Sequence, residues 1–396
     1  VVDFYGKHGL RCVINAGGTE TILGAAPVSP EVCEAMIQVL PLAVVMEDLQ
    51  RYASRVIARV IGAEAGCVTA CADASVAAGL AGCMTGDDIG KIERLPDTDG
   101  MRNEVIVQRA HVTDAGGMHT LQLIRMTGAK AIEVGMARVC RGYHLESAIN
   151  ERTAAVYFVM NQEVPQSAIL PLHIVAEIAH HHNVPVVVDA AIIYDLSLPL
   201  KQGADLVAVS GHKVLEGPTS GLTYGRKDLV RASYLQERGI ARPMKVGKES
   251  VMGVLKALEL YSKRDHEQYL ANQRRKVEYM VNRLKDLEGI EVLAASDAHT
   301  RYMMRARMRV DREKVGLTEY HLVNKLAERD PLIKALDWLA HGGQLEFDLR
   351  YVTDDEVEEI CRRIEEIIEG ARRNGSLSLQ MTVDDWRQQP YGDWPD

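Results

Sequence analysis

Five short apolar runs recur between residues 104 and 210, each followed by a polar or helix-like stretch. They are EVIVQ (104–108), AKAIEVG (129–135), AAVYFVM (154–160), VPVVVDAA (184–191) and ADLVAVS (204–210). Most of these runs are continuously apolar, with no alternation, so both faces of the strands they predict must be covered. The segments His119–Thr127 and Leu172–His182 carry helical spacing and supply cover. The expected class is α/β, a mainly parallel sheet sandwiched by helices. Such sheets bind ligands at the carboxyl ends of their strands, so the residues just past each run are the first place to look for chemistry.

The flanking sequence extends this plan. Ser29, Pro30 and Glu31 read as a helix start, and Leu49, Tyr52, Val56 and Val60 continue helical spacing to Gly62, so residues 29–62 are expected to be helical. GCVTACADASVAAGLAGCMTG (66–86) reads as a short strand, a polar turn at Asp73–Ser75 and a helix of small residues able to pack closely on a sheet. Beyond Gly247 a long helical stretch (248–287) precedes strands near 290–294 and 302–310, the run LEFDLR and a helix over 354–373. The expected division is an N-terminal arm and substrate loop (1–28), a large domain (29–247), a linker helix with a small α+β domain (248–373) and a polar tail (374–396), extended or partly disordered.

Composition removes several classes. A chain of 396 residues with 47% hydrophobic and 26% charged residues is an ordinary folded protein. The balance of 46 Lys plus Arg against 55 Asp plus Glu, with no basic stripe, gives no footing for nucleic acid. Seven cysteines at Cys12, Cys33, Cys67, Cys71, Cys83, Cys140 and Cys361 form no framework, and Cys67 with Cys71 lacks the second pair a metal site needs. Reduced thiols, no metal, no membrane span and a cytoplasmic location are the expectations. His180, His181 and His182 are consecutive, point to different sides of a helix and suit its C-terminus better than one ion.

Lys213 follows the last of the five runs. By itself it is either a solvated strand end or an amine desolvated enough to attack carbonyls. Its companions favour the second reading. Asp189 ends the preceding run, where a buried carboxylate needs a cationic partner such as a protonated pyridine nitrogen. The Asp73–Ala74–Ser75 turn opens a helix whose N–H groups, with the Ser75 hydroxyl, suit a phosphate. An aldehyde-capturing lysine, a pyridinium-binding aspartate and a phosphate-holding helix start are the contacts that pyridoxal 5'-phosphate requires.

At these residues the chain resembles a known family. YGKHGLRCVINAGGTETILG (5–24), DAA (189–191), SGHK (210–213) and RPMKVGKE (242–249) look like the fold type I pyridoxal phosphate enzymes related to bacterial selenocysteine synthase, nearest the D-glucosaminate-6-phosphate ammonia-lyase branch. The resemblance covers about residues 5–370. It implies a seven-stranded large domain, a small C-terminal domain, and a homodimer or higher oligomer with active sites at subunit interfaces. It matches Lys213 to the Schiff-base lysine, Asp189 to the pyridinium partner, Ala74 and Ser75 to the phosphate-cup turn, Ser210 and His212 to the lysine's flanking positions, and His111 to the side chain stacked on the cofactor ring. Many relatives have a second glycine where this chain has His212, which places a larger polar group beside the lysine.

Further substrate-binding positions are open between two readings. Asn15, Thr19 and Glu20 either meet substrate or form a turn. Arg242, Lys245 and Lys248 either bind a phosphate or lie on a solvated loop. Arg350 either grips a substrate carboxylate or makes a rim salt bridge. The expected reaction is α,β-elimination with ammonia release from a small amino acid or amino-sugar acid, giving a 2-keto acid, with Lys213 as base and acid. Racemisation or transamination is the alternative; selenium transfer to seryl-tRNA and cofactor binding without turnover follow behind.

Overall fold

A computed structural model describes residues 2–115, 118–160, 166–296 and 302–374. The tail expected from 374 lies outside them but for Asn374, which ends the last helix. Contacts divide the chain into two compact units, one of residues 19–265 and the other of residues 2–18, 266–296 and 302–374.

The larger unit is built on seven strands in the spatial order Ala65–Thr69, Gly221–Gly225, Leu206–Ser210, Val186–Asp189, Thr153–Val159, Glu104–Gln108 and Lys130–Val134. Gly221–Gly225 is antiparallel to both its neighbours, and the remaining pairs are parallel. The sheet is covered on both faces, as its continuous apolar strands require. Val186, Val188, Val207 and Val209 face a layer with Ala53, Ile57, Val175, Val254 and Leu258. Val187, Leu206 and Ala208 face another with Val76, Leu80, Met84, Ile124 and Val230.

The small-residue helix Ala72–Thr85 lies close on this second face. A Cβ on Gly79 would stand 2.7 Å from a Leu206 methyl, so a larger residue there would lift the helix from the sheet. The expected helix over 29–62 is two helices, Pro30–Val39 and Met46–Ile61, because Pro41 cannot continue the first. Ser29 caps the first by accepting the Val32 N–H. The long helix expected from Lys248 is also two, Lys248–Lys263 and His266–Leu284.

The unit limits differ from the division read from sequence. The Lys248–Lys263 helix packs on Pro30–Val39 and Met46–Ile61, so it belongs to the larger unit. Val13–Ala16, read as part of an arm, pairs in parallel with Leu332–Ala335, which carries residues 2–18 into the other unit. That unit also has a three-stranded antiparallel sheet, Ile290–Ser296, Met304–Val310 and Leu345–Phe347, packed on helices His266–Leu284, Glu319–Glu328 and Asp354–Asn374 around Met280, Leu326, Phe347 and Ile364.

Candidate active site

Six strands of the large sheet release their carboxyl ends at one edge, and Gly221 begins its strand there, opposite both Thr69 and Ser210. Asp189 ends its strand at this edge, and Lys213 lies three residues past the end of the neighbouring one. The lysine turn is tightly held. Gly211 N–H donates to the Ser220 carbonyl at 2.8 Å, Gly217 N–H to the Gly211 carbonyl at 2.9 Å, and Glu216 N–H to the Lys213 carbonyl at 3.0 Å. Glu216 takes a left-handed φ of 58° to close it. The half-buried Lys213 is thus presented from a fixed backbone.

Asp189 is buried, with one carboxylate oxygen accepting the Tyr157 hydroxyl at 3.1 Å and the other the Ala191 N–H at 3.1 Å. Burial, reinforced by the charge of Asp73, raises its pKa to about 6, while the Ala191 N–H, Lys213 and Tyr157 pull the other way. A carboxylate in this state gains from any cation that reaches it. Burial likewise raises Asp73, with Lys213 opposing, so Asp73, Asp189 and Lys213 share one electrostatic neighbourhood.

His212 is buried beside them, and neither ring nitrogen has a hydrogen-bond partner among the described residues. Burial and then the Lys213 charge lower its pKa to about 4, so at neutral pH it offers one N–H donor and one acceptor. Its carbonyl accepts the Ala26 N–H at 3.0 Å, which ties the segment after Thr19 and Glu20 to the lysine turn. Fully buried His111 accepts the Val159 N–H on Nδ1 at 3.3 Å, and its ring meets Phe158 edge-on with centroids 4.4 Å apart.

The start of the Ala72–Thr85 helix is more fully engaged than its sequence suggested. Cys71 is the N-cap, and its Sγ accepts the Ala74 N–H at 3.4 Å. Ser75 N–H donates to the Cys71 carbonyl at 3.1 Å. Thr69 Oγ1 donates to that same carbonyl at 2.9 Å and lies 2.6 Å from Ser75 Oγ. Because Thr69 spends its only proton on Cys71, the Ser75 hydroxyl must donate to Thr69. Tyr157 was not singled out in the sequence, and Cys71 was weighed there only as a metal ligand. A tyrosine in the middle of a fully buried strand needs a partner for its hydroxyl, and that signal was present in AAVYFVM.

Asn15 belongs to the smaller unit and holds a turn, its Nδ2 donating to the Gly18 carbonyl at 2.9 Å and its Oδ1 accepting the Gly17 N–H at 3.1 Å. Arg350, in that same unit, grips the buried Asp348 with both arms of its guanidinium at 2.9 and 2.6 Å, so its ion pair is interior and not at a rim. Burial alone would raise Asp348, but Arg350 holds it down at about 2. Arg242 and Lys245 are exposed, and Lys248 donates to the Leu42 carbonyl. His180 pairs with Asp205 and His182 with Glu146, so the histidine run does not converge. All seven cysteines are free thiols, and no described helix is long and apolar enough to cross a membrane.

Residues 13–289 match the SelA family model, L-seryl-tRNA selenium transferase. The chain belongs to this family. SelA-like relatives extend over nearly its whole length. A 5'-C-glycyluridine monooxygenase-decarboxylase of Streptomyces sp is 36% identical over 365 residues, 92% of each chain. A D-glucosaminate-6-phosphate ammonia lyase of Salmonella typhimurium is 34% identical, covering 93% of this chain and 99% of the relative. A solved structure of D-glucosaminate-6-phosphate ammonia-lyase superposes with a TM-score of 0.81 at 33% identity, over 93% of this chain and 98% of that one. The SelA-like chain is therefore a fold type I pyridoxal phosphate enzyme, as its sequence resemblance implied.

Proposed function

We propose that this enzyme is a pyridoxal phosphate-dependent lyase that carries out α,β-elimination on a small β-hydroxylated amino acid or amino-sugar acid, releasing ammonia and a 2-keto acid. The observation that carries the reading is the placement of Lys213, Asp189 and His212 at one sheet edge, in a chain alignable almost end to end with an ammonia lyase. The donor set fits the cofactor: an amine for its aldehyde, a buried carboxylate that makes no ion pair among the described residues for its ring nitrogen, an imidazole whose nitrogens have no hydrogen-bond partner among the described residues, and a helix N-terminus for its phosphate.

When bound, pyridoxal phosphate supplies an electron sink for the bond broken at the substrate's Cα. Lys213 holds the cofactor until substrate replaces it, then takes the Cα proton and delivers a proton to the departing β-hydroxyl. Asp189, oriented by Tyr157 and the Ala191 N–H, keeps the ring nitrogen protonated. His111, fully buried with its Nδ1 accepting the Val159 N–H, would have to uncover its ring to stack on the cofactor. His212 stays uncharged and sets the polarity next to the lysine. One water is lost across Cα–Cβ and one is consumed when the nitrogen leaves as ammonia, so the sum is substrate to keto acid plus ammonia.

The Streptomyces relative favours a second reading, oxidative decarboxylation. The two separate cleanly: elimination proceeds without oxygen and loses no carbon. Purified enzyme reconstituted with cofactor is expected to be yellow, and Lys213→Ala to abolish that absorbance band. Asp189→Ala is expected to keep some cofactor and lose most turnover. A colourless reconstituted wild type would remove the basis of the reading. A homo-oligomer in the cytoplasm completes the proposal, supported by free thiols and by an exposed apolar run near residue 42.

A further inference from the structure

We propose that the Cys71 thiol occupies the phosphate seat of the cofactor site in the cofactor-free enzyme and gives it up when the phosphate docks, so that Cys71 tunes cofactor affinity. The inference rests on the cofactor reading above and concerns a residue that reading does not use.

The start of an α-helix presents N–H groups without intrahelical acceptors. At the Ala72–Thr85 helix the donors nearest the sheet edge are already assigned. The Cys71 sulfur accepts from Ala74, the Ser75 N–H continues the helical ladder to the Cys71 carbonyl, and the Ser75 hydroxyl serves Thr69. A phosphate oxygen therefore reaches the Ala74 N–H only by displacing the sulfur. Backbone adjustment offers no alternative: a Cβ on Gly221 would stand 2.2 Å from the Cys71 carbonyl oxygen and 2.4 Å from Thr69 Oγ1, so the neighbouring strand pins this turn from behind.

The sulfur is suited to yielding. Burial lifts the thiol's pKa, the Ala74 N–H opposing and the charges of Asp73 and Asp189 adding to the rise, so it remains a neutral thiol and a weak acceptor. The influence of Asp189 on it places Cys71 within the same neighbourhood as Lys213. His212, next to Lys213 in sequence, is 7% exposed with neither ring nitrogen bonded among the described residues, so buried polar capacity is left over beside the lysine as well.

The test is the alkylation rate of Cys71 by iodoacetamide, in which sulfur displaces iodide, followed peptide by peptide by mass spectrometry with exposed Cys33 as reference. Pyridoxal phosphate and inorganic phosphate are expected to change the Cys71 rate at least several-fold and leave Cys33 alone, whereas pyridoxal, which lacks the phosphate, leaves both alone. In absorbance titrations Cys71→Ala is expected to bind the cofactor about five-fold more tightly, the worth of a weak cap, and Cys71→Ser, with its stronger cap, less tightly than wild type. The proposal is overturned if the Cys71 rate ignores phosphate, if pyridoxal acts as strongly as pyridoxal phosphate, or if Cys71→Ala fails to tighten binding. Should Cys71→Ala misfold, the wild-type alkylation arms still decide. Failure of the cofactor to form its Lys213-dependent band would refute the cofactor reading instead, so the two failures are distinct.

Discussion

Asp189 and His212 titrate in opposite senses in the cofactor-free protein. Asp189 is raised from 3.8 to about 6 by burial and then by Asp73. Its favourable contribution is fully present below its unfolded pKa and is lost as pH rises through the folded one. Asp189→Asn is therefore expected to be more stable than wild type at neutral pH, by about 2–3 kcal/mol at most, with the gap closing below pH ~4. Urea unfolding of the cofactor-free forms at the two pH values measures this. His212, lowered to about 4 by burial and Lys213, works the other way, its contribution fading as pH falls from 6.5 through 4. Lys213 and Asp189 were legible in the sequence because each terminates an apolar run, which fixes its end of the sheet. AAVYFVM showed that Tyr157 needs a partner but not which one, since Asp189 lies 32 residues away across a strand pair, and the role of Cys71 lay in the cap geometry of a single turn.

The elements show where pattern reading succeeds and where it stops. Parallel strands were visible as apolar runs, and Ser29 announced its helix. Gly221–Gly225 was missed: GLTYG is short, begins and ends in glycine, and has little apolar content, yet all five residues are buried. It inserts antiparallel between two strands distant in sequence, which no local pattern encodes. Its first residue must be glycine to pass the Cys71 carbonyl. Gly221→Ala is accordingly expected to cost about 1–3 kcal/mol by overpacking and to weaken cofactor binding through the displaced helix start. Thermal unfolding and an absorbance titration report the two effects, and a variant that binds and melts like wild type would dissociate this strand from the site. In the smaller unit, LEFDLR was read as a strand leading to Arg350, but the charge pairing was not legible: Asp348, two residues before it, turns out to be its carboxylate.

At the scale of the whole molecule, domain limits drawn from local helix and strand patterns do not include long-range pairing. Residues 2–18 join the smaller unit through the Val13–Ala16 pairing with Leu332–Ala335, a contact more than 300 residues apart in sequence. The larger unit leaves Ile37, Leu40, Leu42 and Val45 each more than half exposed within nine residues, a density that single surface residues do not reach. The expected occupant is a second copy, so light scattering should find a dimer or larger assembly, and Leu42→Lys with Val45→Lys should dissociate it; a wild-type monomer would contradict that assignment. The proposed elimination turns on the fate of the substrate nitrogen. Reconstituted enzyme, freed of oxygen and given no keto-acid acceptor, is to be offered β-hydroxy amino acids and amino-sugar acids, with and without a terminal phosphate, while ammonia and 2-keto acid are counted. The account predicts equal amounts of both from at least one of them and none with Lys213→Ala; product formed only when an acceptor or oxygen is restored would contradict it.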